Sequence, residues 1–127
     1  MNVDTSVLMP QMYAAFNNRD IDGVLALMSE TVNWPKASEG GRVVGKHALR
    51  DYWTRQWAEF NPLVYVLDVI DRDGGLTDVK VHQVVNDRSG TVLSDIELWH
   101  VYHFTDGLID CMDVKDGEGA FGVTGER

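Results

Sequence analysis

A histidine and a carboxylate on neighbouring strands can share a proton between them, and His100 and Asp113 are of the types for it. His100 and Tyr102 are two apart in an apolar run, so the alternation of a strand puts both on one face. Asp113 lies in the next run. If the two runs are antiparallel neighbours, the His100 face meets Asp113, and imidazole and carboxyl share a proton. A carboxyl that faces an apolar pocket has a raised pKa, which suits proton transfer. The competing reading is a solvent-facing strand acid, since Asp110 and Asp116 flank it. His103 and Trp99 point away from His100. His82 points with Lys80 and Val84, opposite Val79, Val81, Gln83 and Val85, and His47 opens a helix where exposure is expected.

No metal ligand set is expected. His100 and His103 fall on opposite faces of one strand, and no His-X-His or Cys-X-X-Cys spacing occurs. Gly40 to Lys46 has the glycine and lysine spacing of a phosphate-binding loop. His47, however, replaces the hydroxyl residue that would hold magnesium, and no βαβ context surrounds it. No cofactor is implied.

The elements that position these groups follow from periodicity. Leu8, Met12, Tyr13 and Phe16 have helical spacing over residues 6 to 17, with Ser6 as cap and Pro10 tolerable only in the first turn. Asp20 caps a second helix carrying Ile21, Val24, Leu25 and Met28, which makes a helical hairpin. Thr31 to Pro35 reads as a short strand and Lys36 to Gly45 as a loop. A third helix runs from Lys46 to Phe60, with Leu49, Trp53, Trp57 and Phe60 on one stripe and Tyr52 and Gln56 beside it. Four strands follow at 63–70, 78–85, 92–105 and 108–114, the last two joined by Asp106-Gly107, a strong hairpin signal. Three helices followed by an antiparallel meander predict an α+β fold of one domain over residues 1–127, with a flexible tail from about 117.

Composition excludes several classes of function. Twenty Asp and Glu against 11 Lys and Arg give a formal charge of −9, which disfavours nucleic acid and anionic membrane surfaces as partners. No apolar stretch approaches the ~20 residues of a membrane helix, and no signal peptide is expected. Cys111 is the only cysteine, so no internal disulfide can form, which suits a cytoplasmic location.

The order of elements, together with the strings Tyr13 to Gly23, Gly45 to Trp53 and His103 to Ile109, resembles the nuclear transport factor 2-like superfamily. That superfamily includes ketosteroid isomerases, SnoaL-like polyketide cyclases, limonene epoxide hydrolases and scytalone dehydratase. The resemblance implies a cone, in which a curved antiparallel sheet wraps a long helix and leaves a hydrophobic pocket. It also implies a homodimer through the outer sheet face, which accounts for apolar residues on both faces at Val84-Val85 and Leu98-Trp99.

Ketosteroid isomerases are similar at Tyr13, which matches their oxyanion-donating tyrosine. Their catalytic base falls at Trp34 here and their later aspartate near Tyr102, so steroid isomerisation in that form loses its base. SnoaL-like cyclases and epoxide hydrolases place an acid on the last strand. The resemblance puts it at Asp113, although Cys111 and Met112 replace the polar partner that precedes it. The implied site is catalytic at Asp113, His100 and Tyr13, with Trp34, Trp53, Tyr52, Tyr102, Trp57 and His82 lining a pocket for a flat apolar ligand, Trp57 being equally a core residue. The implied function is cofactor-independent acid-base catalysis of the cyclase, isomerase, dehydratase or hydrolase type on a small hydrophobic substrate. The alternative is a noncatalytic small-molecule-binding or dimerisation module, since one fold hosts both.

Overall fold

The computed structural model describes residues 4–116. The expected tail from about 117 lies outside them. The chain runs α1 (Thr5–Asn17), α2 (Ile21–Leu25), β1 (Met28–Pro35), β2 (Arg42–Val44), α3 (Lys46–Glu59), β3 (Phe60–Arg72), β4 (Leu76–Asp87), β5 (Val92–Thr105) and β6 (Leu108–Asp116). The strands form one open six-stranded sheet in the order β2-β1-β6-β5-β4-β3. This is the expected α+β architecture with the expected meander, although Met28, expected in the second helix, begins β1, and two features of the sheet differ. β1 pairs with β6 in parallel, so the sheet is mixed. Arg42–Val44, expected within a loop, pairs back onto β1 as a short edge strand, Trp34 lying opposite Val43.

Local chemistry explains most element limits. The cap of α1 is Asp4, not Ser6: the Asp4 carboxylate accepts from the Ser6 backbone N–H at 3.2 Å and from its hydroxyl at 2.6 Å. A carboxylate is the stronger acceptor at the positive end of the helix dipole. Starting at Thr5 moves Pro10 into the second turn, where it removes one helical hydrogen bond and keeps its ring in solvent. Pro62 sits inside β3, which is possible because β3 is an edge strand with one unpaired side. Part of that edge is closed by Asn17 at the end of α1. Its amide donates to the Val64 carbonyl at 2.8 Å and accepts from the Val64 N–H at 2.9 Å, in place of a seventh strand.

The helices pack Met9, Met12, Tyr13 and Phe16 from α1 and Leu49, Tyr52 and Trp53 from α3 against Val79, Val81, Tyr102, Ile109 and Met112 of the sheet. Burial of these apolar side chains, among them the rings of Tyr13, Phe16, Tyr52, Trp53 and Tyr102, supplies the main driving force, about 1.5–3 kcal/mol for each large apolar side chain. Trp57 is only half-buried, and Phe60 leaves the helix to begin β3. Among the described residues, no helix is long and apolar enough to cross a membrane.

Candidate functional site

Between the sheet and the helices lies a cavity of about 380 Å³. Its walls carry Tyr13 and Phe16 from α1, Trp34 from β1, Tyr52, Trp53 and Gln56 from α3, and Leu98 and His100 from β5, with Met112 and Val114 from β6. Among the described residues, no Asp, Glu, Lys or Arg lines it.

Tyr13 Oη lies 2.5 Å from His100 Nδ1 and within hydrogen-bond reach of Tyr102 Oη. The Tyr13 ring stacks on the imidazole, with centroids 5.8 Å apart and planes inclined by 26°. Burial pushes both phenols well above their ordinary pKa, and for Tyr13 the neighbouring Tyr102 adds to the effect. Burial holds His100 down to about 4, so at neutral pH all three rings are uncharged. Counting protons assigns the tautomer. One arrangement gives both hydroxyl protons an acceptor within the trio: Tyr102 donates to Tyr13, and Tyr13 donates to His100 Nδ1. Nε2 then carries the imidazole proton, and it has no hydrogen-bond partner among the described residues. The trio therefore presents one N–H donor on the wall of a largely apolar cavity.

Of the residues expected at the site, Tyr13, His100, Trp34, Trp53 and Tyr52 line this cavity. Tyr102 stands behind Tyr13, fully buried, and does not line it. Trp57 lies outside the lining, stacked on Trp53 at 5.8 Å with the Arg19 guanidinium 5.0 Å from its ring centroid. His82 faces the opposite side of the sheet, where Nε2 is 2.6 Å from Asp95, because its neighbours Val81 and Gln83 point inward. His47 is exposed, as expected.

Asp113 requires a correction. The expectation that it meets His100 assumes an uninterrupted hairpin. Thr105 pairs with Leu108 and Phe104 with Ile109, but His103 pairs with Cys111, so Asp110 is an extra residue, a β-bulge. Its carboxylate is anchored by the Ser29 hydroxyl at 2.6 Å and the Thr31 hydroxyl at 3.1 Å. Past the bulge every side chain is shifted by one position. Val114 stands opposite His100, and Asp113 stands opposite Val101 on the outer face. There Asp113 is 3.0 Å from His103 Nε2 and 3.2 Å from the Arg42 guanidinium. Donor atoms of His103, Cys111 and Asp113 all lie within 4.8 Å of one another, a cluster across two strands that spacing along one strand does not reveal.

The polar cavity residues Ser38, Gln56, Gln83 and Ser94 were not singled out from the sequence. Gln83 had a readable signal, since it interrupts the inward row Val79, Val81, Val85. Ser38 had none, because its place depends on the 36–41 turn. That turn is tied to α3 through Tyr52 Oη, which accepts from the Ser38 N–H at 3.0 Å and from the Gln56 amide at 2.9 Å.

No curated protein sequence matches the chain. Among solved structures, an NTF2-like protein of unknown function from Burkholderia pseudomallei is similar with a TM-score of 0.77 and 20% identity, over 91% of this chain and 92% of that one. TerC, crystallised with polyporic acid, gives a TM-score of 0.74 and 21% identity over 87% and 88% of the two chains. A Mycobacterium tuberculosis protein in complex with estradiol-17beta-hemisuccinate gives 0.74 and 18% over 87% and 91%. These likenesses show the nuclear transport factor 2-like fold. A family model described as the SnoaL-like domain matches residues 10–112, and the chain belongs to that family.

Proposed function

We propose that the chain is a cofactor-independent acid-base enzyme acting on a small, flat, hydrophobic substrate, with His100 as the group that meets it. The observation that carries this reading is the buried chain from Tyr102 through Tyr13 to His100, which ends on the cavity wall. A neutral imidazole N–H in a site of low dielectric stabilises an oxyanion that develops on a substrate carbonyl, and it does so without a counter-charge. Tyr13 is a positioning residue in this scheme. Its hydroxyl fixes the tautomer and the ring orientation, and Tyr102 fixes Tyr13.

Because no carboxylate lines the cavity among the described residues, the reaction class that fits is one in which carbonyl polarisation is the main demand. Cyclisation or tautomerisation at an already acidic carbon meets that condition, and deprotonation of a weak carbon acid does not. Trp34, Trp53 and Tyr52 supply flat apolar walls, and the ligands bound by TerC and by the Mycobacterium tuberculosis protein support a ligand of that class. A homodimer through the outer sheet face and a cytoplasmic location belong to the same proposal.

The same missing carboxylate favours a second reading, a noncatalytic receptor built on the same cavity. The test is titration with polyporic acid and estradiol-17beta-hemisuccinate, followed by tryptophan fluorescence, then incubation with a panel of aromatic polyketones at catalytic protein concentration. Saturable quenching by either probe and product formation lost about 100-fold in His100→Gln are expected for the enzyme. Product formation at an unchanged rate in that variant sinks the assignment to His100. Quenching with every compound recovered intact selects the receptor.

A further inference from the structure

We infer that His103, Cys111 and Asp113 form a divalent-cation site of the zinc type on the outer face of the β5–β6 hairpin. His103 and Cys111 are directly opposed in the strand register, and Asp113 follows Cys111 by two residues on the same strand, so all three project from one face. Their donor atoms, an imidazole nitrogen, a thiol sulfur and a carboxylate oxygen, lie within 4.8 Å of one another. Ligands at zinc bond lengths of roughly 2.0–2.3 Å stand about 3.3–3.8 Å apart in a tetrahedron, so small side-chain rotations close the set. His103 and Asp113 have the freedom for it, with side chains 42% and 48% exposed.

The donor set selects the metal. A thiolate with an imidazole and one carboxylate suits zinc or cobalt, whereas calcium and magnesium take oxygen ligands. Three protein ligands leave a fourth position for water or an exogenous donor, as in zinc sites that do chemistry.

Arg42 is the competing occupant. Its guanidinium reaches Asp113 Oδ1 at 3.2 Å, Cys111 Sγ at 3.6 Å and the Met112 carbonyl at 2.6 Å. His103 meets the other oxygen, Oδ2, at 3.0 Å. Metal on Oδ2 is thus compatible with Arg42 staying on Oδ1, where it orients the carboxylate as an outer partner but also repels the cation. The prediction is a site whose affinity Arg42 holds down, in a protein whose net charge of −9 draws cations.

The experiment uses the full chain, freed of metal by chelation and kept reduced, and titrates it with cobalt(II), then displaces the cobalt with zinc. One cobalt per chain with a thiolate-to-cobalt charge-transfer band, lost on zinc addition, is expected. Cys111→Ser removes the band, His103→Gln and Asp113→Asn each weaken binding at least about tenfold, and Arg42→Gln tightens it. Circular dichroism and thermal unfolding establish that each variant is folded, and the serine variant keeps the shape of the cysteine. Absence of the band in the folded wild-type chain overturns the inference. So does a band that survives in His103→Gln and Asp113→Asn with unchanged affinity, since the thiol then binds without this cluster.

Discussion

His100 and Val114 stand directly opposite each other across β5 and β6, and both face the cavity. An uninterrupted hairpin would put Asp113 in the place of Val114. The Asp110 bulge therefore exchanges a carboxylate for an aliphatic side chain beside a buried imidazole, and among the described residues no charged group lines the cavity.

Restoring the carboxylate has a defined consequence. Val114→Asp places an acid opposite His100, with Cβ atoms about 4.5–5.5 Å apart. An opposite charge at that range favours the imidazolium, so the His100 pKa is expected to rise from about 4 toward neutrality. NMR titration of the imidazole signals reads this directly, and an unmoved His100 titration contradicts the assigned register.

Tyr13→Phe removes the link between His100 and Tyr102. It leaves a buried phenol without an acceptor and Nδ1 without a donor, at an expected cost of about 1–3 kcal/mol. Chemical denaturation measures that cost. In an active preparation kcat should fall while KM changes little, because the ring stays as a wall of the cavity and only the tautomer is released.

Stability should depend on pH through His100. Its folded pKa, about 4, is below its ordinary value of 6.5. Between those values the unfolded chain binds a proton that the folded chain refuses, so this part of the stability is fully present above pH 6.5 and is lost as pH falls toward 4. The loss is about 3 kcal/mol. Urea midpoints of the wild type and His100→Gln, compared from pH 4 to pH 7, should converge at the acid end. Parallel curves across that window would count against a neutral, buried His100.

Asp113→Asn tests the outer placement. With Asp113 half-exposed and paired to Arg42 and His103, the expected loss of stability is below about 1 kcal/mol. Ligand affinity at the cavity and any turnover should stay within about twofold of the wild type, since the side chain is on the far side of the sheet. Abolished turnover in a folded Asp113→Asn protein would falsify the outer placement.

Much of the fold was legible because it rests on local patterns. The helix faces with Met12, Tyr13 and Phe16 or Leu49 and Trp53, the Asp106-Gly107 hairpin and the shared face of His100 and Tyr102 all follow from periodicity and turn chemistry within a few residues. The parallel pairing of β1 with β6 and the β2 edge depend on long-range hydrogen bonding, and nothing local distinguishes Arg42–Val44 from loop.

For the site, sequence alone determined which residues alternate within one strand, since side-chain direction reverses at every step of an extended chain. Only the tertiary structure decided which residue faces which across two strands. That choice rests on one extra residue, Asp110, held by hydroxyls of β1 that are distant in sequence. Because the alternation has period two, this one-residue shift carries the whole of β6 beyond it to the opposite face. It leaves Asp113 outside with His103 and Cys111, while Tyr13, Tyr102 and His100 meet inside.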